Sequence, residues 1–246
     1  MQIQILNNFK SPNFDNRQKN SKIKFLVLHY TETISLSEAI NILCSPQKKV
    51  SCHYIIDTNG DIYNLVDEKK RAWHAGLSCW MNYKNLNSSS VGIEIVNSGE
   101  ILKNKYPKNQ IRSLINLSKQ IKSTYKIKTG HILGHSDIAP KRKIDPGIYF
   151  PWKTLAKYDL GYWVDLKKNI SKIDFELKKN ELKCFLQNLK IIGYSEVIPS
   201  KSFEKNMHVI NAFHRHYVPK LIDKFPTQVS YIKSKKLLEI LKKVDT

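Results

Sequence analysis

The 246-residue sequence predicts an α/β fold in which a central mixed β-sheet is flanked by helices, followed by a small C-terminal three-helix domain. Apolar runs of strand length alternate with helical periodicity up to about residue 163, as in sheets covered by helices. Beyond that point only amphipathic helical stretches occur, separated by a glycine turn and several prolines. We therefore expect an N-terminal arm at 1–22, an α/β domain at 23–165 and a helical domain at 166–246.

Five segments of the α/β region carry strand signals. Two of them are continuous apolar runs rich in β-forming residues, which is typical of buried strands. Two others flank Asn59-Gly60, a dipeptide that favours the tight turn of a β-hairpin. The expected strands are Lys24–Tyr30, His53–Asp57, Asp61–Val66, Val91–Val96 and His131–Gly134.

Helices are indicated where apolar residues recur every three or four positions. Ser35 and Glu38 form a capping-box pattern at the start of the first such segment, and Pro107 opens the second. In the C-terminal domain the expected helices are Asp174–Leu189, Phe203–His216 and Val229–Val244.

The chain carries 41 basic and 21 acidic residues, which gives a formal net charge of +20. Such a charge fits an anionic partner, for example nucleic acid, an acidic membrane or a cell-wall polymer. A lysine-rich solvated surface explains the same charge without any partner. Only five of the basic residues are arginine, the side chain preferred for phosphate and base recognition, so we expect no nucleic-acid partner.

Cysteine usage and hydropathy bear on the compartment. The four cysteines show neither a CxxC pair nor a metal-type spacing, so free thiols are expected, with a disulfide as the alternative. Residues 1–24 are polar and lack the apolar core of a secretory signal peptide. No stretch approaches the roughly 18 apolar residues of a membrane span. The expectation is a monomer in the cytoplasm, with a periplasmic or secreted location reached without a signal peptide as the alternative.

Two histidines and an aspartate lie near the ends of predicted strands. His29 lies at the carboxyl end of the first buried strand and His135 follows the last one, at the edge where open α/β sheets bind ligands. Asp145 follows in the next turn. Two histidines and one carboxylate form a recognised catalytic zinc set. Spacing alone does not bring these residues together, so a structural role for each stays open at this point.

Glu94 interrupts an otherwise apolar strand. If Ile93 and Ile95 face one side of the sheet, Glu94 faces the other. An isolated buried carboxylate is costly, so it must be paired, lie near a metal or line a cleft. The alternative is an edge strand that leaves Glu94 in water, but its apolar neighbours favour a functional carboxylate.

Several motifs occur in order along the chain. They are Phe25–Thr31, Ser51–Ile56, Ala72–Gly76, Val91–Asn97, His135–Gly147 and Phe150–Trp152. This succession resembles the zinc-dependent N-acetylmuramoyl-L-alanine amidase family, which includes phage lysozyme-type amidases and peptidoglycan recognition proteins. The similarity covers roughly residues 10–165. Residues 209–217 resemble the central helix of the peptidoglycan-binding-like domain that one branch of this family carries at its C-terminus.

The resemblance implies a set of catalytic roles. One zinc ion per chain is expected to be bound by His29, His135 and Asp145. Glu94 matches the catalytic glutamate, which takes a proton from water and returns it to the leaving nitrogen. Lys143 matches the catalytic lysine, whose charge can stabilise the tetrahedral intermediate.

The same resemblance implies supporting roles. Trp73, His74 and Asn97 are expected to contact substrate, and His53 is expected to support the metal site from behind the ligands. Three further histidines in the C-terminal domain could indicate a second metal, but packing or placement on a polar helix face is the favoured interpretation. They are His208, His214 and His216.

The implied reaction is hydrolysis of the amide bond between N-acetylmuramic acid and L-alanine, in peptidoglycan or in its (anhydro-)muropeptides. One alternative is a peptidoglycan-recognition module that kept the fold without the activity, but every matched catalytic position is filled here. The other alternative is a zinc amidohydrolase with a different amide substrate.

Overall fold

A computed structural model of the chain describes residues 3–167 and 175–244. The strands are β1 (Ile5–Leu6), β2 (Phe14–Asn16), β3 (Phe25–Tyr30), β4 (Tyr54–Ile56), β5 (Ile62–Asn64), β6 (Lys70–Ala72), β7 (Cys79–Trp80), β8 (Tyr83–Lys84), β9 (Ser90–Ile95) and β10 (Ile132–Gly134). The helices are α1 (Leu36–Leu43), α2 (Lys108–Tyr125), α3 (His135–Ile138), α4 (Trp152–Ala156), α5 (Lys179–Ile192), α6 (Phe203–Tyr217) and α7 (Gln228–Val244).

Six strands form one mixed sheet in the order β1-β5-β4-β9-β3-β10. Neighbouring strands are parallel except β4 and β5, which pair antiparallel across the Asn59-Gly60 turn. Gly60 has a φ of +101°, which a residue with a side chain rarely adopts. The predicted mixed sheet and its hairpin are therefore confirmed.

Strands β3 and β9 lie at the centre of the sheet. All six residues of β3 are buried, as its continuous apolar sequence predicts. The register of the two strands pairs Val27 with Gly92 and His29 with Glu94. Because side chains alternate between the two faces of a strand, these four residues belong to one face of the sheet.

The other face of the sheet packs against α2. This helix begins directly after Pro107, as predicted, and its buried Leu114 and Leu117 form one apolar cluster with Leu28 and Ile93 of the two central strands. Glu94 therefore lies on the face away from α2, as the alternation of the strand predicts.

The face that carries His29 and Glu94 is covered by α1 and by the C-terminal helices. The Ser35 side chain accepts a hydrogen bond from the Glu38 N–H at 3.2 Å, which confirms the capping at the start of α1. At the amino end of the sheet, Phe25 belongs to the same apolar cluster as Phe213 of α6.

One hydrophobic core thus joins the α/β region to the helical region. Val27 and Leu133 of the sheet share a cluster with Phe185 and Leu189 of α5. Burying a side chain of this size contributes about 1.5–3 kcal/mol. Because these residues exclude water only when the helices are in place, the C-terminal helices complete the core of the sheet.

The first 22 residues contribute more structure than an arm. Strand β1 adds to the edge of the main sheet beside β5, and β2 pairs with β6. Strands of two or three residues are too short to produce a detectable hydrophobic period, so the sequence pattern does not reveal them.

The first C-terminal helix starts later than the expected Asp174, a residue that lies outside the described part of the chain. Helix α5 begins at Lys179, and the Lys178 N–H donates to the Glu181 carboxylate at 2.9 Å. Before the helix, Glu176 pairs with Thr227 in an antiparallel bridge, which keeps this segment extended.

All four cysteines are free thiols, in agreement with the sequence. Among the described residues, no helix combines the length and the apolar character needed to cross a bilayer.

Candidate metal centre

His29, His135 and Asp145 meet at the carboxyl edge of the sheet. His29 is the fifth residue of β3, and His135 directly follows β10, the parallel neighbour of β3. The His29 and His135 Nδ1 atoms lie 3.0 Å apart, and the Asp145 Oδ2 atom lies 2.9 Å and 3.1 Å from them, respectively. The three side chains that the sequence singled out are therefore brought together, and all are buried.

The donor set fits a zinc ion. Zinc with bonds of about 2.0–2.1 Å to tetrahedral ligands holds the ligand atoms roughly 3.3 Å apart, close to the spacings found here. Two imidazole nitrogens and a carboxylate oxygen are ligands that zinc accepts, and three protein ligands leave one position for water or substrate. No other group of three potential metal ligands occurs in the described residues.

The tautomer of His135 is fixed from outside the metal centre. Its Nε2 atom lies 3.1 Å from the Ala75 carbonyl oxygen. Because a carbonyl only accepts hydrogen bonds, Nε2 carries the proton and the Nδ1 lone pair points towards the centre. The Arg142 guanidinium also donates to the Ala75 carbonyl and to the Leu77 carbonyl, so it anchors the loop that orients His135.

His29 is oriented by a chain of hydrogen bonds. Its Nε2 atom lies 3.0 Å from His74 Nδ1, and His74 Nε2 lies 3.1 Å from the Ser90 hydroxyl. That hydroxyl donates to the Leu86 carbonyl at 2.7 Å. If His29 Nδ1 is the metal ligand, His29 Nε2 must donate to His74 and His74 must donate to Ser90, so every proton in the chain is defined.

Gly92 makes room for this chain. A Cβ atom at Gly92 would lie 2.4 Å from His74 Cγ, a separation that side chains do not adopt. His74 therefore stacks directly on the backbone of β9. A glycine at this position of an apolar strand is explained by the close approach of an imidazole ring.

Burial and mutual charge keep His29 and His74 neutral. Burial lowers the pKa of His29 to about 4, with His135 acting in the same direction and Asp145 opposing it. Burial and the neighbouring His29 also lower the pKa of His74 well below its ordinary value. Burial alone would raise the pKa of Asp145, but His135 and His29 together hold it below its usual range. Neutral imidazoles and an ionised carboxylate are the forms that bind a metal.

Glu94 lies beside His29 at the same level of the sheet. One of its carboxylate oxygens, Oε2, is buried without a hydrogen-bond partner among the described residues. Burial, reinforced by the negative charge of Asp145 and opposed by Lys143, raises the pKa of Glu94 well above its ordinary value. A carboxyl group of this kind is suited to taking up and releasing a proton.

A cavity of about 160 Å³ opens onto these groups. Glu94, His135 and Asp145 line it together with the partly buried Lys143. Trp73 and His74 also line it, so two of the three residues expected to contact substrate reach the cavity.

Asn97 is engaged elsewhere. Its side-chain oxygen accepts the Gly99 N–H at 2.9 Å, and its amide nitrogen donates to the Asn104 carbonyl at 3.4 Å. It closes the loop that follows β9 rather than lining the cavity.

His53 lies behind His74, with ring centroids 5.6 Å apart, and contacts none of the three ligand side chains. Its Nδ1 atom accepts the Gly92 N–H at 3.0 Å, and its Nε2 atom lies 3.0 Å from the Arg17 guanidinium and 3.1 Å from the Lys70 carbonyl oxygen. Burial, then the charge of Arg17, lower the pKa of His53 to about 3. The neutral ring therefore connects β9 to the β6 segment.

The C-terminal histidines are used in packing and hydrogen bonding. Among the described residues they belong to no potential metal group. His214 is fully buried, and its ring nitrogens lie 2.7 Å from the Leu221 carbonyl and 2.9 Å from the Ser230 hydroxyl. His216 instead reaches the α/β region, where it contacts Asp137.

Some residues around the metal centre have no signal in the sequence. Ser90 directly precedes the Val91–Asn97 motif and Asp137 lies within the His135–Gly147 motif, but neither residue is singled out by the sequence pattern. One partner of Asp137 and one partner of Glu100 lie in α6, 79 and 115 positions further along the chain. Spacing carries no information about such contacts.

A mixed sheet with two histidines, an aspartate and a partly buried glutamate at its carboxyl edge is typical of a metal-dependent hydrolase. Residues 19–148 match the N-acetylmuramoyl-L-alanine amidase family, and the chain belongs to that family. The family resemblance read from the motifs is thereby confirmed.

Individual relatives extend the match beyond the family segment. N-acetylmuramoyl-L-alanine amidase AmiD of Escherichia coli (strain K12) is 36% identical over 219 residues, 81% of this chain and 76% of that protein. The solved complex of that amidase with anhydro-N-acetylmuramic acid-L-Ala-D-gamma-Glu-L-Lys superposes with a TM-score of 0.78 at 32% identity, covering 91% of this chain and 92% of the other. The 1,6-anhydro-N-acetylmuramyl-L-alanine amidase AmpD of Haemophilus influenzae is 36% identical over 162 residues, 58% of this chain and 86% of that protein.

Proposed function

We propose that this chain, with one zinc ion bound by His29, His135 and Asp145, hydrolyses the amide bond between N-acetylmuramic acid and L-alanine. The observation that carries the proposal is the convergence of these three ligand atoms beside Glu94, in a chain of the amidase family. Every catalytic position of the family motifs carries the expected residue type in this chain. This favours an enzyme over a recognition module that has lost its activity.

Each ligand has a defined role in holding the ion. His29 and His135 present Nδ1 because their Nε2 atoms are engaged with His74 and with the Ala75 carbonyl. Asp145 supplies the negative charge. When bound, zinc polarises the scissile carbonyl and lowers the pKa of water at the open position.

Glu94 performs the proton transfers in this proposal. Its raised pKa and its buried, unpartnered Oε2 allow it to take the proton from the attacking water and to return it to the departing alanine nitrogen. The same residue then serves as base and as acid in one turnover, so one well-placed carboxylate is sufficient.

Lys143 and the cavity walls act on the substrate. Lys143 lines the cavity with Glu94, so its ammonium group can stabilise negative charge on the carbonyl oxygen as water attacks. Trp73 lies on the wall of the same cavity, where an aromatic face can pack against a sugar or peptide group. His74 acts on the metal centre indirectly, because its Nδ1 atom orients the His29 ring.

The substrate class is the muropeptide, an N-acetylmuramic or anhydro-N-acetylmuramic acid that carries a peptide beginning with L-alanine. Support comes from the solved complex of the Escherichia coli relative with an anhydro-muramyl tripeptide of this chemistry. Intact peptidoglycan and released anhydro-muropeptides present the same bond, and the enzyme is expected to cleave it in one or both.

The decisive experiment uses anhydro-N-acetylmuramic acid-L-Ala-D-γ-Glu-L-Lys as probe. Purified protein is expected to contain about one zinc per chain and to release the free peptide, and chelation should abolish release until zinc is restored. Binding of the probe without cleavage would instead favour the recognition module. Cleavage of other linear amides at a higher rate would favour a different substrate.

Two further measurements address the substrate pool and the compartment. Turnover on intact sacculi is compared with turnover on the free anhydro-muropeptide at equal bond concentration. Fractionation of cells that express the full chain then locates the protein in the cytoplasm, the periplasm or the medium. The compartment found should contain the preferred substrate.

A further inference from the structure

Helix α6 contacts the short segment that carries His135 directly, and it reaches the loop that carries Asp145 through Glu100. Its adjacent residues Arg215 and His216 reach across the boundary between the helical and the α/β regions. We propose that these two residues are positioning residues for the metal centre, so that the C-terminal helices set its geometry and affinity. This inference rests on the proposed zinc site.

The first contact is between His216 and Asp137. Asp137 is buried, two residues after His135, and its Oδ2 atom accepts the Gly134 N–H at 2.8 Å. The same oxygen lies 2.8 Å from His216 Nδ1, and the other carboxylate oxygen accepts the Tyr194 hydroxyl at 2.8 Å. The Asp137 carboxylate therefore accepts hydrogen bonds from the α/β region and from the helical region. Through Gly134 it also closes the turn on which His135 lies.

The orientation of His216 is itself fixed. Its ring stacks on Trp152 with centroids 3.8 Å apart and planes 15° apart, and it also stacks on Tyr217. Because the Asp137 carboxylate accepts hydrogen bonds, Nδ1 of His216 carries the proton. A ring held between two aromatic groups has little freedom to move away from Asp137, so it can fix the position of the turn.

The second contact is between Arg215 and Glu100. The Arg215 Nε atom donates to Glu100 Oε1 at 2.9 Å, and that oxygen also accepts the Ile148 N–H at 3.0 Å. Ile148 is three residues after Asp145, in the same loop. Both charged side chains are mostly buried, at 13% and 15% exposure, so this ion pair is shielded from solvent.

The two contacts act on one unit. The Ser136 N–H donates to the Asp145 carbonyl at 2.9 Å, so the His135 turn and the Asp145 loop are joined directly. His29 needs no such support, since it lies inside a central strand that is paired on both sides. The two ligands outside the sheet are therefore the ones whose backbone is held by α6.

The test compares zinc affinity across full-length variants, by competition with a chromophoric chelator. His216→Phe keeps an aromatic ring between Trp152 and Tyr217 but removes the N–H that Asp137 accepts, and His216→Asn restores a donor. We expect zinc to bind about tenfold more weakly in His216→Phe, in the range for outer partners of metal ligands, and the loss to be largely reversed in His216→Asn.

His214→Phe is the matched control. His214 lies in the same helix and is also buried, but its ring nitrogens form hydrogen bonds with Leu221 and Ser230, which belong to the C-terminal region. This variant should lower the melting temperature without changing zinc affinity. The proposal would be overturned if His216→Phe left zinc affinity unchanged. It would also be overturned if His216→Phe and His214→Phe lowered zinc affinity equally while lowering the melting temperature equally.

The ion pair is tested in the same assay. Arg215→Met removes the donor to Glu100 and is expected to weaken zinc binding. Arg215→Lys keeps the positive charge, so it should retain more of the wild-type zinc affinity than Arg215→Met. Wild-type affinity in Arg215→Met would remove this contact from the proposal.

Hydrogen exchange separates this proposal from the proposed function. In metal-free protein, His216→Phe should raise amide exchange in peptides that cover 134–148, whereas His214→Phe should raise it only in the C-terminal helices. Absence of amidase turnover in a wild type that still binds zinc would count against the proposed function alone. Unchanged exchange at 134–148 in His216→Phe would count against the positioning role whatever the wild type binds.

Discussion

His29 and Glu94 are register partners on neighbouring parallel strands, so the imidazole proposed to bind zinc and the carboxyl group proposed to transfer protons project side by side from one face of the sheet. This relationship is set by backbone hydrogen bonds and not by a flexible loop. It places the proton-transferring group at a fixed level relative to the ligand, which is the preorganisation that catalysis requires.

Replacement of Glu94 by glutamine should separate catalysis from metal binding. Glutamine has the same shape but cannot exchange a proton, so turnover should fall by about 10² or more while zinc remains bound. Because burial disfavours the charged carboxylate, the metal-free variant should also melt at a higher temperature than the wild type at neutral pH. Rates within tenfold of the wild type would assign Glu94 a structural role.

Replacement of Lys143 by methionine tests charge stabilisation. Lys143 lines the cavity with Glu94, and loss of its ammonium group should reduce kcat by about 10²–10³ with zinc content unchanged. Lys141→Met is the matched control, since Lys141 is exposed and pairs with Glu196 at 3.1 Å rather than lining the cavity. Equal effects of the two substitutions would point to general electrostatic attraction instead.

Gly92→Ala should disturb the metal centre without touching a ligand. The new Cβ would overlap the His74 ring, so His74 must move and can no longer accept the hydrogen bond from His29 Nε2–H. Zinc affinity is expected to fall about 10–100-fold, as for other outer partners of metal ligands.

A double-mutant cycle checks the cause of this loss. In a His74→Ala background the added methyl group meets no ring, so Gly92→Ala should cost little further affinity. Additive losses would show that the glycine acts through the strand and not through His74.

The sequence predicts the parts of the site that follow from regular structure. Alternation in β9 places Glu94 on the face opposite Ile93 and Ile95, and continuous apolar character identifies β3 as central. The proximity of His29 and His135 depends on the strand order, which periodicity does not encode. The family motifs are what predict it. The strand order itself is fixed by tertiary packing.

The supporting contacts could not be predicted. His216 and Asp137 are 79 positions apart, one in the helical region and one in the α/β region. The sequence pattern around either residue therefore does not indicate a contact with the other. The same holds for Ser90, because its hydroxyl can contact His74 only when the His74 ring packs against Gly92. Such residues act through a single contact that only the folded chain creates.

His214 should make the C-terminal helices sensitive to acid. Burial lowers its pKa from 6.5 to about 4 in the folded protein, so the folded state resists a proton that the unfolded state accepts. Stability from this group is therefore complete above about pH 6.5 and is lost as the pH falls towards 4. At about 1.4 kcal/mol per pKa unit the full effect is about 3 kcal/mol.

His214→Asn isolates this contribution, because asparagine does not titrate and still offers a donor to the Leu221 carbonyl. The free energy of unfolding, measured in urea between pH 7 and pH 4, should fall less steeply in the variant than in the wild type. Other buried histidines titrate in both proteins, so only the difference between the two curves reports on His214. Parallel curves would mean that His214 accepts a proton in the folded state near its ordinary pKa, and that the helices open locally around it.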